Sequence, residues 1–297
     1  MSGADANGTA GTGERVLVTG AQGQLGGEVV AELGRRGVAC RGVDVGDFDL
    51  ADPQAVAAAV AAYRPTAVVH CAAYTAVDRA EDEPEACAAV NVRGTENVAS
   101  AAAAVGAKVL YVSTDYVFGG EGTTPFATGD ARDPRSVYGR TKAEGEDAVR
   151  RILPDRHFVV RTSWVVGPLG RSNFVKTMLR LSKEREEVGV VADQVGSPTY
   201  APDLAVLLCD MAATERFGTY HATNEGFCSW ADLAEAAFAL AGRPTRVRRL
   251  RTEEYPTKAV RPRNSRLSKD SLDAAGFRRL PDWRDALRRY LAAHPEG

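Results

Sequence analysis

Three glycines at three-residue intervals, Gly20, Gly23 and Gly26, separate a run of strand formers (Arg15-Val16-Leu17-Val18-Thr19) from a helical pattern beginning at Leu25. A strand that passes through such a turn straight into a helix opens a βαβ unit, which restricts the fold more than any other local feature here. Each glycine has its own reason to be there. Gly20 permits the tight turn, Gly23 lets backbone approach a pyrophosphate, and Gly26 lets the helix pack closely on the strand, its N-terminus facing the anion. The spacing is GxxGxxG rather than GxGxxG, a variant of the commoner dinucleotide fingerprint. A glycine-rich turn without a ligand is the competing reading, and the strand–turn–helix setting weighs against it.

Strand and helix patterns alternate from there. Strands are expected over 38–43, 66–71, 108–113 and 157–162, and helices from 25 to about 36 and over 53–63, 84–105 and 136–152. Such alternation predicts an α/β fold, a doubly wound parallel sheet of Rossmann-like form. Beyond Trp164 the rhythm loosens. Amphipathic helices are expected over 173–187, 202–213, 230–241 and 283–293, with short strands over 188–192, 218–223 and 247–250. The expected organisation is a disordered tail (1–13), a dinucleotide-binding domain (14–165) and a smaller, mainly substrate-binding α/β region (166–297). Within the last, residues 193–223 are expected to pack back on the first domain.

Charge is nearly balanced across the 297 residues, 37 basic against 39 acidic, so no electrostatic footprint for nucleic acid is visible. Arginines cluster between Arg243 and Arg251 and again at Arg261, Arg263 and Arg266. A solvated face explains both clusters, and a nucleotide diphosphate also suits the second. The five cysteines (Cys40, Cys71, Cys87, Cys209, Cys228) are scattered, without a CxxC pair, as expected of reduced thiols in a cytoplasm. His70, His157, His221 and His294 stand apart from one another and from cysteine, so no metal site is expected. No apolar run approaches the ~18 residues that span a bilayer. The first 13 residues lack the basic and apolar regions of a signal peptide.

Asp44 ends the second strand, 24 residues after Gly20, where a carboxylate can bond the adenosine ribose hydroxyls. Its charge favours NAD over NADP, because a 2′-phosphate would be repelled; Arg41 offsets this in part. Asp49-Leu50 is in reach of adenine, and Asp52, before Pro53, is equally well explained as an N-cap. His70-Cys71-Ala72-Ala73 ends the third strand, as expected where backbone passes a dinucleotide, and His70 fits a packed histidine better than a catalytic one. Tyr138 and Lys142 are four residues apart, so a helix projects phenol and ammonium from one face. A phenol titrates near ~10, and a neighbouring ammonium lowers that value, which reads as a tuned acid/base pair. Spacing alone does not carry this, since Tyr255 and Lys258 come close to it beside Pro256.

TGAQGQLG (19–26), CAAYTAVDRAEDEP (71–84), NVRGT (91–95), STDYVFGG (113–120), YGRTK (138–142) and RTSWVVGP (161–168), in this order, resemble the extended short-chain dehydrogenase/reductases. Within them the chain is similar to the dTDP-4-dehydrorhamnose reductase family, and DQVGSPTYAPDLA (193–205) and RPRNSRL (261–267) extend the likeness towards the C-terminus. The resemblance implies a catalytic triad of Thr114, Tyr138 and Lys142. Tyr138 would protonate the C4 carbonyl oxygen of the sugar as the nicotinamide delivers hydride to C4. Thr114 would hydrogen-bond that oxygen, while Lys142 holds the nicotinamide ribose and depresses the tyrosine's pKa. It further implies that Gly20, Gly23, Gln24, Leu25, Gly26, Asp44, Asp49, Leu50, Ala73, Tyr74 and Thr75 line the dinucleotide. Thr114, Asp115, Tyr138 and Trp164 would face the deoxysugar nucleotide, although Trp164 also has a core reading. Arg261 suits the diphosphate.

The implied cofactor is NADPH, with NADH possible in view of Asp44, and dual use is expected. The implied substrate is a dTDP-linked 4-keto-6-deoxyhexose, handled by a monomer or homodimer. Competing readings are a reductase of a related hexose in secondary metabolism, for example dihydrostreptose-type, and a non-catalytic NADP-binding regulatory subunit. Dehydratases of the superfamily follow the threonine with an acidic pair, whereas here Tyr116 follows Thr114-Asp115.

Overall fold

The computed structural model describes residues 13–170 and 172–293, so the expected tail, apart from Gly13, lies outside the described residues, as does His294. The first half runs β1 (Arg15–Thr19), α1 (Gln24–Arg35), β2 (Ala39–Val43), α2 (Pro53–Tyr63), β3 (Ala67–His70), α3 (Val77–Asp82) and α4 (Pro84–Ala88). A π-helical turn (Ala89–Gly94), α5 (Thr95–Ala104), β4 (Lys108–Thr114), α6 (Val137–Ile152) and β5 (His157–Thr162) follow. The second half contains β6 (Val165–Val166), α7 (Phe174–Leu181), β7 (Glu187–Val191), β8 (Val195–Gly196), β9 (Thr199–Tyr200), α8 (Ala201–Ala212) and β10 (Gly218–His221). It ends with β11 (Asn224–Glu225), β12 (Cys228–Ser229), α9 (Trp230–Leu240), β13 (Arg246–Leu250), β14 (Asn264–Ser265), α10 (Asp270–Ala274), β15 (Leu280–Asp282) and α11 (Trp283–Ala292).

Six of these strands form one sheet in the order β10-β5-β4-β3-β1-β2, parallel throughout. Successive residues of a strand point to opposite faces. Val16 and Val18 accordingly enter a core shared with α1 and α8, while Leu17 enters a second core with α2, α5 and α6. Burial on both faces is why β1 and β3 read as unbroken apolar runs rather than as alternation. Because β2 and β3 flank β1 on opposite sides, the connections diverge there and open a crevice at the strands' C-terminal edge.

Two expected helices differ in the structure, one interrupted and one shorter. The segment 84–105 is interrupted by the π turn, within which buried Asn91 accepts the Tyr74 amide (2.8 Å) and donates to the Tyr74 carbonyl oxygen (3.3 Å). The segment 173–187 stops at Leu181. The Ser182 hydroxyl turns back to the Leu179 carbonyl (2.7 Å), and Thr245 takes the carbonyls of Ser182 and Arg185 (3.2 and 3.0 Å). Glu187, expected to close that helix, instead opens β7, which pairs in parallel with β13. Trp283, Tyr290, Leu233 and Leu179 centre a separate apolar cluster under the second half.

Candidate active site

Gly20 adopts φ 69° at the end of β1, and a Cβ there would stand 2.8 Å from the Ala72 amide beyond β3. A Cβ on Gly26 would run into the Gly20 carbonyl oxygen. The Gly23 amide donates to that same carbonyl (3.0 Å), closing the turn, and Gly23 caps α1 without any side-chain hydrogen bond. An uncapped helix start facing a glycine-walled crevice is a ready anion site. The residues present thus fit a dinucleotide pyrophosphate at this turn.

Around that turn the polar groups organise the loops. Asp44 accepts the amides of Gln22 and Val45, both at 2.8 Å, so its carboxylate braces the glycine turn. Asp49 accepts the Ala51 amide (2.8 Å), and Asp52 caps α2 through the amides of Gln54 and Ala55. Leu50 lies against Gly94, where a Cβ would approach its own Cβ to 3.0 Å. Gln24 turns its side chain across to Gly167 and Asn173 (3.0 and 3.1 Å), so what it offers at the turn is backbone. Leu25 is buried behind it in the sheet core. Ala73 and Thr75 flank Tyr74, whose hydroxyl donates to Glu83 (2.8 Å) and whose ring packs with Tyr138 on Ala80, Cys87 and Val137. His70 is packed, bonded to Thr19 (2.7 Å) and Thr95 (3.1 Å), and burial lowers its pKa to about 3, leaving it neutral.

Thr114 closes β4, and Ser136 caps α6 through the Gly139 amide (3.1 Å), setting the first turn that carries Tyr138. The Thr114 hydroxyl donates to Asp115 Oδ1 (2.9 Å) and accepts the Tyr116 amide (3.2 Å). Burial pushes the Tyr138 phenol well above its ordinary value, with the neighbouring Thr114 hydroxyl opposing that rise. Asp115 is 3% exposed and its Oδ2 has no hydrogen-bond partner in the structure. Burial raises its pKa to about 6, with the Thr114 hydroxyl and the neighbouring Ser265 opposing the rise.

The expected pairing of Tyr138 with Lys142 needs a correction. The Lys142 ammonium donates to the Val112 carbonyl oxygen (2.8 Å) and sits 4.0 Å from the centre of the Tyr111 ring. Although i and i+4 share a helix face, the long lysine stem carries its charge to the β4 backbone. Burial lowers the Lys142 pKa to about 7, and burial rather than Lys142 dominates the shift of the phenol. Tyr138 is therefore held protonated, which suits an acid.

Trp164 (φ 49°) stacks on Trp230, ring centres 3.7 Å apart and planes 16° from parallel. A Cβ at Gly196 would stand 3.2 Å from the Trp164 ring and 2.8 Å from Ser265 Cβ, so the glycine admits both. Arg261 donates to Asp78 (2.5 Å) and to the Tyr116 hydroxyl (3.0 Å). The Tyr116 ring meets Tyr138 edge-on, centres 5.5 Å apart. Ser265, Asp78 and Asn91 carry no separate signal in the sequence although each lies inside a motif block, and Tyr116 stands out there only as the residue in place of the dehydratases' second acid. Trp230 carried no signal, because its contact with Trp164 exists only in the folded chain. Among the described residues no group of three or more His, Cys, Asp or Glu side chains converges on a metal-sized site. No helix among them is long and apolar enough to cross a membrane.

The profile described as RmlD substrate binding domain matches residues 14–295. A Streptomyces griseus dTDP-4-dehydrorhamnose reductase is 47% identical over 279 residues, 92% of this chain and 91% of that protein. A Streptomyces niveus dTDP-4-keto-6-deoxy-D-glucose reductase is 38% identical, covering 92% and 95%. The solved Bacillus anthracis dTDP-4-dehydrorhamnose reductase in complex with NADP superposes with a TM-score of 0.91 at 42% identity, over 94% of this chain and 99% of that one. Family profile, sequence identity and fold agree along nearly the whole length: the chain belongs to the RmlD family, that of the dTDP-4-dehydrorhamnose reductases.

Proposed function

We propose that this chain reduces the C4 ketone of dTDP-4-dehydro-6-deoxy-L-hexose, turning dTDP-4-dehydrorhamnose into dTDP-L-rhamnose, with NADPH or NADH as reductant. The observation that carries the reading is the meeting of Thr114 and the protonated Tyr138 at the crevice beside an uncapped, glycine-walled helix start. When bound, the nicotinamide supplies the hydride. Tyr138 gives its proton to the C4 oxygen, and Thr114 holds that oxygen as negative charge develops on it. Asp115 offers Oδ2 to a sugar hydroxyl, Trp164 forms a wall of the sugar-nucleotide site, and Lys142 swings from Val112 to the nicotinamide ribose. Arg261 exchanges Asp78 for the diphosphate. Residues 14–165 hold the dinucleotide and 166–297 mainly the sugar nucleotide. Five free cysteines support a cytoplasmic setting.

The test is coupled turnover of the dTDP-4-keto-6-deoxyhexose with a 3,5-epimerase, product configuration being read by NMR and KM compared for NADPH and NADH. Turnover to dTDP-L-rhamnose with both dinucleotides is expected. A product of other C4 configuration would instead favour the second reading, a reductase of a related deoxyhexose, which the Streptomyces niveus relative motivates. Dinucleotide binding without turnover would identify a regulatory subunit and contradict the proposal.

A further inference from the structure

Helix α6 carries, two turns beyond Tyr138 and one beyond Lys142, a carboxylate that the reduction itself does not use. Glu146 is fully buried, and its two oxygens receive donors from four side chains. Ser113, the residue before Thr114 on β4, donates its hydroxyl to Oε1 at 2.7 Å. Arg161 on β5, itself 2% exposed, grips both oxygens through Nε and Nη2, each at 2.8 Å. Arg150 reaches Oε2 at 3.1 Å from the next turn of the helix, and Arg132 reaches it at 3.4 Å from the loop before α6. Thr114 and the Tyr138–Lys142 face sit on different elements, and the chain alone does not fix one against the other. The Ser113–Glu146–Arg161 contacts do so, together with the bonds from Lys142 to the Val112 carbonyl oxygen and from Tyr111 to the Lys142 carbonyl oxygen.

We propose that Glu146 is a positioning residue for the reduction, its carboxylate clamping the Tyr138–Lys142 face of α6 against the strand end that carries Thr114. The inference rests on the reductase reading above. Electrostatics gives the clamp a second effect. The other groups acting on Lys142 are His70 and Cys71 from the end of β3, Cys87 from α4 and the Tyr111 ring from β4. His70 is neutral with its pKa near 3, and burial pushes Cys71 up to about 12, raises Cys87 and lifts Tyr111 well above the ordinary phenol value. Among these groups Glu146 alone is anionic at neutral pH, where it favours the charged form of Lys142 against the effect of burial.

Two variants test this. Ser113→Ala removes one bond from the clamp and leaves the arginines in place. Its kcat is expected to fall roughly 3- to 30-fold, as for a displaced catalytic group, with KM for both substrates and the melting temperature close to wild type. Glu146→Gln removes the charge while keeping the shape. Without the anion the charged form of Lys142 is less favoured, so the alkaline fall of kcat should move to lower pH. A merely structural carboxylate would lower the melting temperature and the yield of folded enzyme without moving the pH profile of what folds. Wild-type kcat in Ser113→Ala, or an unmoved profile in Glu146→Gln, overturns the proposal. Should Glu146→Gln fail to fold, Ser113→Ala alone decides it. Wild-type enzyme that fails to turn over refutes the reductase reading instead, so the two failures are distinct.

Discussion

At the scale of single residues, the site separates two acids by their surroundings. Burial holds Tyr138 above its ordinary pKa, so it is protonated throughout the neutral range and able to donate. Tyr138→Phe keeps the ring packing on Val137 and Ala80 but removes the proton. Its kcat should fall roughly 10²- to 10⁴-fold, with dinucleotide affinity by fluorescence titration nearly unchanged. Asp115 titrates near 6 because burial disfavours its charge. A folded-state pKa raised above the unfolded value contributes stability that is present at low pH and lost as pH rises through the folded pKa. Folding is thus weakened between about pH 4 and 6 and stays weakened above. Asp115→Asn cannot ionise. It should raise the melting temperature by several degrees at pH 8, where the ionised carboxylate costs up to about 3 kcal/mol, and hardly at all at pH 4. Equal shifts at both pH values would contradict the assignment of the raised pKa to Asp115.

Among elements, α6 does most to assemble the site, and its glycines show why. Gly139 follows Tyr138 in the first turn, and a Cβ there would run into the Tyr116 carbonyl oxygen and stand 3.2 Å from Pro134 Cβ. Helix propensity alone predicts that Gly139→Ala stabilises by about 1 kcal/mol. The backbone contact opposes this, and overpacking of a buried site costs about 1–3 kcal/mol. The contact should win, giving net destabilisation in urea titration together with loss of activity, because the displaced residue, Tyr116, adjoins Asp115. A stabilised, active variant would show that the helix and the turn at 115–117 are not tightly apposed. Much of the element pattern was legible in sequence, and the exceptions have local causes. At the π turn Asn91 meets the Tyr74 backbone, a contact that helical periodicity cannot reveal. The early end of α7 depends on Thr245, more than sixty residues away, receiving the Ser182 carbonyl. Lys142 was legible as a residue on the correct face, whereas the direction of its ammonium was set by the β4 carbonyl it meets. The Trp164–Trp230 stack and the Glu146 clamp arise from three-dimensional juxtaposition and left no mark in spacing.

Across the whole molecule, the parallel sheet gathers the proposed site residues at one edge. The glycine turn after β1, the small residues after β3 and Thr114 after β4 all lie at C-terminal strand ends, where the crevice opens. Trp164, just after β5, and Ser265 and Arg261 from the second half come to the same edge, closing it from the side that the alternating half leaves open. In the proposed reaction hydride passes across this edge from dinucleotide to sugar C4 while the chain supplies the proton. The most direct measurement uses NADPH deuterated at its transferable hydride, the dTDP-4-keto-6-deoxyhexose and the 3,5-epimerase, with the product examined by NMR. Deuterium at C4 of the reduced sugar, in stoichiometry with dinucleotide oxidised, is the predicted result. Oxidised dinucleotide without deuterium at C4, or no oxidation at all, would contradict it.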